Sequence, residues 1–344
     1  MIKGCFTALV TPYSKGNVDG DGLRELCDFQ IENGISGILA VGTTGESPTL
    51  SWDEHNHVIE TIAEITKKKC LCIAGTGSNN TTETLSASEH AVHSGAKALL
   101  LVDPYYNGPS SLEIRKEYVA PVAKTFPGVD VIPYVIPGRT GAQLFPEDLA
   151  LLYKEFQNVK TVKEATADLE NMKRTRTCCG PDFTILSGDD GMTYEMMVNP
   201  HIKAAGVISV ASNVAPGALV DMVRLLREGK QDEAGVLAKK LEPLFKLVTV
   251  KTKEKTYWGE VVCRARNPLA IKTLMSILGM PSGGCRRPLG KMTKNGLNIV
   301  LEAARRVQSN HPEIFAPIER FFGVDINSRL NTPSCWEDLA YGGY

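Results

Sequence analysis

The chain has 344 residues, enough for one large α/β domain or two ordinary ones, and 38 Lys and Arg nearly balance 39 Asp and Glu. This balance does not favour a nucleic-acid groove or a strongly charged partner. Nine cysteines without a CxxC pair are typical of reduced thiols, and the apolar run near the N-terminus is too short for a signal peptide or a membrane span. We therefore expect a cytoplasmic globular protein.

Short apolar runs alternate with amphipathic stretches through roughly the first 210 residues. Most runs are rich in Val, Ile and Leu, as is typical of parallel strands buried on both faces. The runs are Cys5–Val10, Gly37–Val41, Cys70–Ala74, Ala98–Val102, Val129–Val135, Val159–Lys163, Phe183–Ser187 and Gly206–Val210. Helical periodicity between them includes Gly22–Glu32, Trp52–Lys68, Thr82–Ser94 and Glu147–Phe156. Eight such units predict a (β/α)8 TIM barrel, with a doubly wound sheet as the alternative.

The pattern changes to consecutive helices after the eighth apolar run. The predicted helices are Pro216–Arg227, Gln231–Val250, Pro268–Leu278 and Lys294–Val307. We expect a barrel over residues 1–215 and a C-terminal helical domain over 216–308. Residues 309–344 show little periodicity and are interpreted as a tail or arm of unknown role.

Polar residues cluster where the predicted strands end, which is where active sites of TIM barrels lie. Three of these ends carry the groups Gly42-Thr-Thr-Gly-Glu-Ser47, Asp103-Pro-Tyr-Tyr-Asn107 and Ser187-Gly-Asp-Asp190. The fifth strand ends at Tyr134 with Arg139 in the following loop, and the sixth ends at Lys163. We therefore expect hydroxyl groups, one Arg and one Lys to lie close together at the C-terminal mouth of the barrel.

Lys163 is the strongest single candidate, because it lies between Val162 and Ala165 in an apolar run. Burial lowers the pKa of an ammonium group, and a neutral amine can attack a ketone to form an imine. Tyr134 could move the protons of that attack. The alternative is a structural lysine paired with the adjacent Glu164.

No metal site is predicted. His90 and His93 have helical spacing but no accompanying ligand motif, so we interpret them as a surface pair. Asp189 and Asp190 are as consistent with a helix cap as with a cation site.

Together these segments resemble the 4-hydroxy-tetrahydrodipicolinate synthase family, formerly the dihydrodipicolinate synthases, over about residues 3 to 300. The matching motifs are Gly42–Ser47, Pro104–Asn107, Tyr134 with Pro137-Gly-Arg-Thr-Gly141, Val162-Lys-Glu-Ala-Thr166, Ser187–Asp190 and Gly206–Val210. The family belongs to a superfamily that includes N-acetylneuraminate lyase and sugar-acid aldolases. The resemblance implies a carbon–oxygen lyase of the class I aldolase type, in lysine (diaminopimelate) biosynthesis.

The resemblance also implies roles for individual residues. Lys163 would form an imine with pyruvate, without a metal or other cofactor, and the enamine would attack L-aspartate-4-semialdehyde. Arg139 would hold the carboxylate of this aldehyde. A proton relay would join Tyr134, Thr43 and Tyr106, with Tyr106 reaching in from a neighbouring subunit of a dimer or tetramer. The pyruvate pocket would be formed by Thr44, Gly188 and the backbone at Ile208.

A second site follows from the same resemblance, since some family members are inhibited by L-lysine at a cleft between subunits. The corresponding positions are Ser47, Pro48, Trp52, His55, Asn79, Glu83 and Tyr105. Glu83 would pair with the amine of the inhibitor and Trp52 would stack on its alkyl chain. The alternative is that Trp52 and His55 only pack the start of a helix.

The chain departs from the family in three places. Val135 follows Tyr134 where the family usually has Asn, residues 250–266 look like an insertion before Asn267, and residues beyond about 305 exceed the usual length. A class I aldolase or lyase for a sugar-like 2-keto acid remains the alternative activity; it would keep Lys163 and Tyr134 without needing Arg139. A non-enzymatic barrel is the third possibility, and the complete Lys–Tyr–Thr set disfavours it.

Overall fold

Eight parallel strands close into a barrel in this computed structural model, which describes residues 2–344. Each strand pairs with the next one in the chain, and the eighth pairs with the first. The predicted TIM barrel is therefore confirmed, and the doubly wound alternative is wrong. The strands are β1 (Gly4–Ala8), β2 (Gly37–Ala40), β3 (Leu71–Gly75), β4 (Ala98–Val102), β5 (Asp130–Val135), β6 (Thr161–Glu164), β7 (Thr184–Ser187) and β8 (Gly206–Ser209).

Helices follow the strands around the barrel. They are α1 (Gly20–Glu32), α2 (Trp52–Thr66), α3 (Thr81–His93), α4 (Ala120–Thr125), α5 (Pro146–Glu155), α6 (Leu169–Cys179), α7 (Thr193–Val198) and α8 (Pro216–Arg227). A π-helical segment, Ile114–Val119, continues directly into α4. The start of α2 shows why these boundaries form where they do. Ser51 accepts from the backbone of Glu54, and the carboxylate of Glu54 accepts from Ser51, which completes a capping box.

Two separate apolar layers hold the barrel together because side chains alternate across each strand. The inner layer includes Phe6, Leu39, Leu100, Tyr134 and Ile208. The outer layer lies between strands and helices. This arrangement requires strands that are apolar on both faces, as the sequence predicted.

The helical extension contains α9 (Gln231–Phe245), α10 (Leu269–Leu278), α11 (Lys294–Asn310), α12 (Ala316–Phe322) and α13 (Ile326–Asn331). Residues after 308 are folded against the body: Phe321 and Phe322 pack on Phe29 of α1 at ring-centroid distances of 5.4 and 5.2 Å. Arg329 donates hydrogen bonds to carbonyls at the end of α10. The division at residues 215 and 308 remains a prediction. Within residues 2–344 no helix combines the length and apolarity needed to cross a bilayer.

The insertion forms an antiparallel hairpin of two eight-residue strands, β9 (Thr249–Thr256) and β10 (Gly259–Arg266). Its inner side packs on α11, where Asn295 donates to the carboxylate of Glu254 at 2.9 Å. The hairpin tip exposes Tyr257 and Trp258.

A buried ion pair joins the β2 loop to the helical extension. Lys272 on α10 donates to Oε1 of Glu46 at 2.7 Å and to the carbonyl of Thr11 at 2.8 Å, and both charged side chains are fully buried. The second carboxylate oxygen of Glu46 accepts from the backbone of Arg286. Glu46 also has a left-handed backbone, with φ of 58°. The loop that carries Thr43 and Thr44 is thus anchored by a residue far away in the chain.

We expect Lys272→Ala to lower the free energy of unfolding by about 3–5 kcal/mol, because it leaves the Glu46 carboxylate buried without a cation. Urea unfolding measures the effect. The matched control is Lys246→Ala, which removes the exposed pair with Glu242 and should cost about 1 kcal/mol or less. Equal losses of unfolding free energy in the two variants would contradict the role of Lys272 in anchoring the loop that carries Glu46.

Candidate active site

Lys163 lies inside the barrel at the end of β6 and is only 5% exposed. Its Nζ is 4.1 Å from the centroid of the Tyr134 ring. The pKa of Lys163 is lowered to about 7, chiefly by burial; the Asp190 carboxylate opposes the shift and the Arg139 charge contributes to it. A large part of this amine is therefore neutral near physiological pH.

The structure does not support the alternative of a Lys163–Glu164 ion pair. The two residues are adjacent in a strand and therefore point to opposite faces. The carboxylate of Glu164 accepts from the backbone of Thr166 at 2.8 Å and from the amide of Asn171 at 3.1 Å.

Tyr134 is held beside Lys163 by the register of the sheet, in which these two residues are direct partners across β5 and β6. Burial raises the pKa of Tyr134 to about 12, while Arg139 and the hydroxyl of Thr43 oppose the rise. The phenol is therefore protonated at neutral pH and is able to donate a proton to a reacting group.

Gly188 lies against the side chain of Lys163, and Ile208 belongs to the same inner layer of the barrel as Tyr134. A Cβ added to Gly188 would lie 3.1 Å from both Cγ and Cε of Lys163, so this glycine leaves room for the lysine chain. Ile208 is buried in the inner layer with Tyr134.

Above these residues lies a cavity of about 170 Å³ at the mouth of the barrel. Its lining comprises Val41, Gly42, Thr43, Ser47, Pro48, Gly75, Gly77, Leu100, Val102, Tyr105, Tyr134, Ile136, Arg139 and Thr140. Arg139 sits on a single helical turn, Pro137–Thr140, that begins with Pro and ends at Gly141 with φ of 71°. The predicted hydroxyls of Thr43 and Tyr134 and the predicted Arg139 thus meet in one cavity. Lys163 and Thr44 are not among the residues that line it, and Lys163 lies behind the Tyr134 ring at 4.1 Å from its centroid.

Asn267 is a site residue that the sequence motifs did not identify. Its amide donates to Oγ1 of Thr44 at 2.9 Å, and its carbonyl accepts from Arg139 at 3.3 Å. It therefore holds two predicted substrate-binding residues at once. The one feature of the sequence that could have indicated Asn267 was its position directly after residues 250–266 and just before α10.

Asp190, which belongs to the predicted Ser187–Asp190 motif, has a structural role that the motif did not indicate. Its buried carboxylate accepts from the backbone of Val210 at 2.9 Å and of Ala211 at 3.0 Å, and burial raises its pKa. Asp189 caps the following turn by accepting from Gly191, so the capping interpretation holds for this residue. Among residues 2–344 no three His, Cys, Asp or Glu side chains are grouped as metal ligands.

Tyr106 does not join the cavity of its own chain. Its side chain is 93% exposed, and its φ of 80° is uncommon for a residue other than glycine. Such backbone strain is frequent at functional positions. The role of Tyr106 in a neighbouring subunit remains a prediction.

The residues predicted to bind L-lysine lie beside the cavity. Tyr105 donates its backbone N–H to Asn79 at 2.8 Å, and Glu83 raises the pKa of Tyr105 in addition to burial. Trp52 is 43% exposed and makes an edge contact with His55, whose Nε2 is 3.1 Å from the carbonyl of Gly75. Ser47, Pro48 and Tyr105 line the cavity itself, so the two predicted sites are contiguous.

Val135, where the family usually has Asn, is buried in the outer apolar layer. Because Tyr134 belongs to the inner layer, the next side chain points away from the barrel interior. At this position a valine packs against the surrounding helices.

A closed barrel whose mouth holds a buried lysine of low pKa beside a tyrosine defines a (β/α)8 enzyme equipped for imine chemistry. Residues 1–306 match the Dihydrodipicolinate synthetase family, and the chain belongs to this family.

Relatives and solved structures agree with this assignment. A 4-hydroxy-tetrahydrodipicolinate synthase of Methanococcus maripaludis is 40% identical over 86% of this chain and 94% of its own length. One from Syntrophus aciditrophicus is 38% identical over 90% and 99%, respectively. The crystal structure of the Cyanidioschyzon merolae enzyme with lysine bound has 31% identity and a TM-score of 0.80, covering 89% of this chain and 98% of that chain. The predicted family and the predicted enzyme type are confirmed.

The pKa of Lys163 leads to a pH prediction. Imine formation with pyruvate, trapped by cyanoborohydride, should rise with pH with a midpoint at about pH 7 and level off at higher pH, since only the neutral amine attacks. Arg139→Gln removes a charge that lowers the pKa of Lys163, so its curve should shift to higher pH. If the rate of imine trapping in the unmodified protein keeps rising towards pH 10, the pKa of Lys163 is that of an exposed lysine and the prediction is wrong.

Proposed function

We propose that the protein condenses pyruvate with L-aspartate-4-semialdehyde to form 4-hydroxy-tetrahydrodipicolinate, a step of lysine (diaminopimelate) biosynthesis, through an imine on Lys163. The observation that carries the proposal is the amine of Lys163, which has a pKa of about 7 and lies 4.1 Å from the Tyr134 ring. Within the established family, this geometry supports covalent catalysis at Lys163.

The proposed sequence begins when the neutral amine attacks the ketone of pyruvate and water leaves. The imine then makes the neighbouring methyl group acidic, and the enamine formed by losing a proton attacks the aldehyde carbon. Tyr134 donates and accepts protons, with Thr43 connecting it to Tyr106 of a second copy of the chain. The amine of the aldehyde substrate then attacks the imine carbon and displaces the amine of Lys163, which closes the ring of the product and frees the enzyme. The protonated imine serves as the electron sink, so these steps require no metal or nucleotide cofactor.

Substrate carboxylates would be held by two parts of the site. Thr44, oriented by Asn267, would bind the carboxylate of pyruvate together with the backbone near Ile208 and Gly188. Arg139 would bind the carboxylate of the aldehyde, for which a planar guanidinium offers two parallel hydrogen bonds. A shared Tyr106 implies a homodimer or a larger homo-oligomer.

We also propose that the protein is located in the cytoplasm. All nine cysteines are unpaired, which agrees with a reducing compartment.

The direct test is an assay of the purified protein with pyruvate and L-aspartate-4-semialdehyde, following the cyclic product. Mass spectrometry after reduction should find the pyruvate adduct on Lys163, and Lys163→Ala should lose both adduct and turnover. Lys160→Ala changes a half-exposed lysine at the other end of the strand and serves as the control. An adduct on a different lysine would refute the mechanism.

Arg139→Ala should still form the pyruvate adduct when assayed above the raised pKa of Lys163, but should weaken the reaction with the aldehyde. Loss of a charged, two-point contact should cost about 2–5 kcal/mol of transition-state binding, measured as kcat/KM for the aldehyde. Arg174→Ala removes an exposed arginine paired with Glu147 and should leave kcat/KM unchanged. Near-normal kcat/KM in Arg139→Ala would assign the carboxylate to another residue.

L-lysine should bind at the cleft formed by Ser47, Pro48, Trp52, His55, Asn79, Glu83 and Tyr105, and slow turnover without competing with pyruvate. Immobilising Tyr105 would shift the adjacent Tyr106 and couple the two sites. Glu83→Ala or Trp52→Ala should relieve inhibition and keep much of the uninhibited rate. Glu89→Ala, an exposed change on the same helix, is the control. Absence of lysine binding by calorimetry would refute this regulation.

A further inference from the structure

The hairpin β9–β10 stands at the edge of the active-site mouth. Arg266, its last residue, donates through Nη1 to the carbonyl of Gly138 at 3.1 Å, within the turn that carries Arg139. Arg139 in turn donates to the carbonyl of Asn267, the residue after the hairpin. The insertion therefore extends the wall of the site.

Strand alternation gives the hairpin two different faces. On the inner face Val250 and Glu254 are buried, and Thr252 lies 3.3 Å from Thr293 between hydroxyl oxygens. The outer face is exposed and rich in basic residues. Its basic residues are Lys251, Lys253, Lys255, Arg264 and the half-buried Arg266.

An open groove of about 520 Å³ runs between this outer face and the turn bearing Arg139. It is lined by Ile136, Gly138, Arg139, Thr249, Lys251, Arg264 and Arg266. Four of these residues are cationic, and no acidic residue is among the lining residues described. The volume is large enough for a small organic anion.

The positive charges that the hairpin contributes to the groove have no carboxylate partner within residues 2–344. Lys251 and Arg264 are directly opposite in the hairpin register, an arrangement that destabilises a strand pair when both charges have the same sign. Within residues 2–344 no carboxylate oxygen lies within 4.0 Å of the charged nitrogens of Lys251, Arg264 or Arg266. An anion in the groove would offset this repulsion.

The distal half of the same face differs. Lys253 approaches Glu260 at 3.8 Å, and Lys255 is directly opposite Glu260 in the register. A carboxylate therefore compensates the charges near the tip, whereas the charges near the active site are left for a ligand.

We propose that the groove is an anion-binding subsite in which Lys251, Arg264 and Arg266, next to Arg139, hold a small ion with two or more carboxylate or phosphate charges. Guanidinium groups suit both kinds of oxygen anion. Because Arg139 is shared, a bound polyanion excludes the carboxylate of the aldehyde substrate but leaves Lys163 free for pyruvate. This competition rests on the proposed function; anion binding itself does not.

Calorimetry of the full-length protein at low ionic strength tests the subsite, with citrate in one arm and inorganic phosphate in the other. Binding in either arm supports the subsite, and the tighter arm identifies the ligand class. The double variant Lys251→Gln with Arg264→Gln should weaken binding about 100-fold, at roughly tenfold for each lost charged contact. Lys255→Gln, an exposed change on the same face, should bind as the unmodified protein does.

Three calorimetric results would overturn the subsite: no binding of either anion, unchanged affinity in the double variant, or equal weakening in Lys255→Gln. The last result would mean a diffuse positive field rather than a site.

A kinetic measurement examines the competition with substrate. Citrate should inhibit condensation competitively with the aldehyde and leave the pyruvate adduct on Lys163 unchanged. Inhibition of adduct formation would overturn the shared role of Arg139. A protein without condensation activity would refute the proposed function alone, because calorimetry would still decide whether the groove binds anions.

Discussion

The burial of one amine inside a closed barrel is the constraint on which the site depends. The side chain of Lys163 is almost completely shielded from water, and this desolvation is the largest cause of its lowered pKa. A solvent-exposed lysine would remain protonated and unreactive at neutral pH. Barrel closure thus does more than provide a scaffold: it removes the solvent that would otherwise stabilise the ammonium form.

The reactive residues are positioned by contacts that extend beyond the barrel strands. Register between β5 and β6 sets Tyr134 beside Lys163, but the loop with Thr43 and Thr44 depends on the helical extension. Glu46 pairs with Lys272, and Asn267 contacts Thr44, so α10 and Asn267, two residues before it, act as supports for the mouth. Since a buried charge without its partner is costly, this part of the chain is coupled to the geometry of the site.

The hairpin β9–β10 lies beside this mouth, in the segment that the sequence predicts to be an insertion relative to the family. Its inner face is stabilised by packing on α11, and its outer face concentrates positive charge beside Arg139. A two-stranded hairpin is marginal by itself, so it depends on packing against the body of the protein. The hairpin thus places a charged wall beside the closed barrel.

The sequence by itself determined the eight strands and their order, because strands buried on both faces require local apolar runs that are visible without a structure. It also predicted that Lys163, Tyr134 and Arg139 lie close together, since the ends of successive parallel strands meet at one mouth. Tertiary structure decided the rest. Glu46 and Lys272 are 226 positions apart, and Thr44 and Asn267 are 223 apart, so no local pattern could pair them. The pKa of Lys163 and the groove beside Arg139 likewise arise only when distant segments pack together, because desolvation and charge proximity are properties of the folded chain.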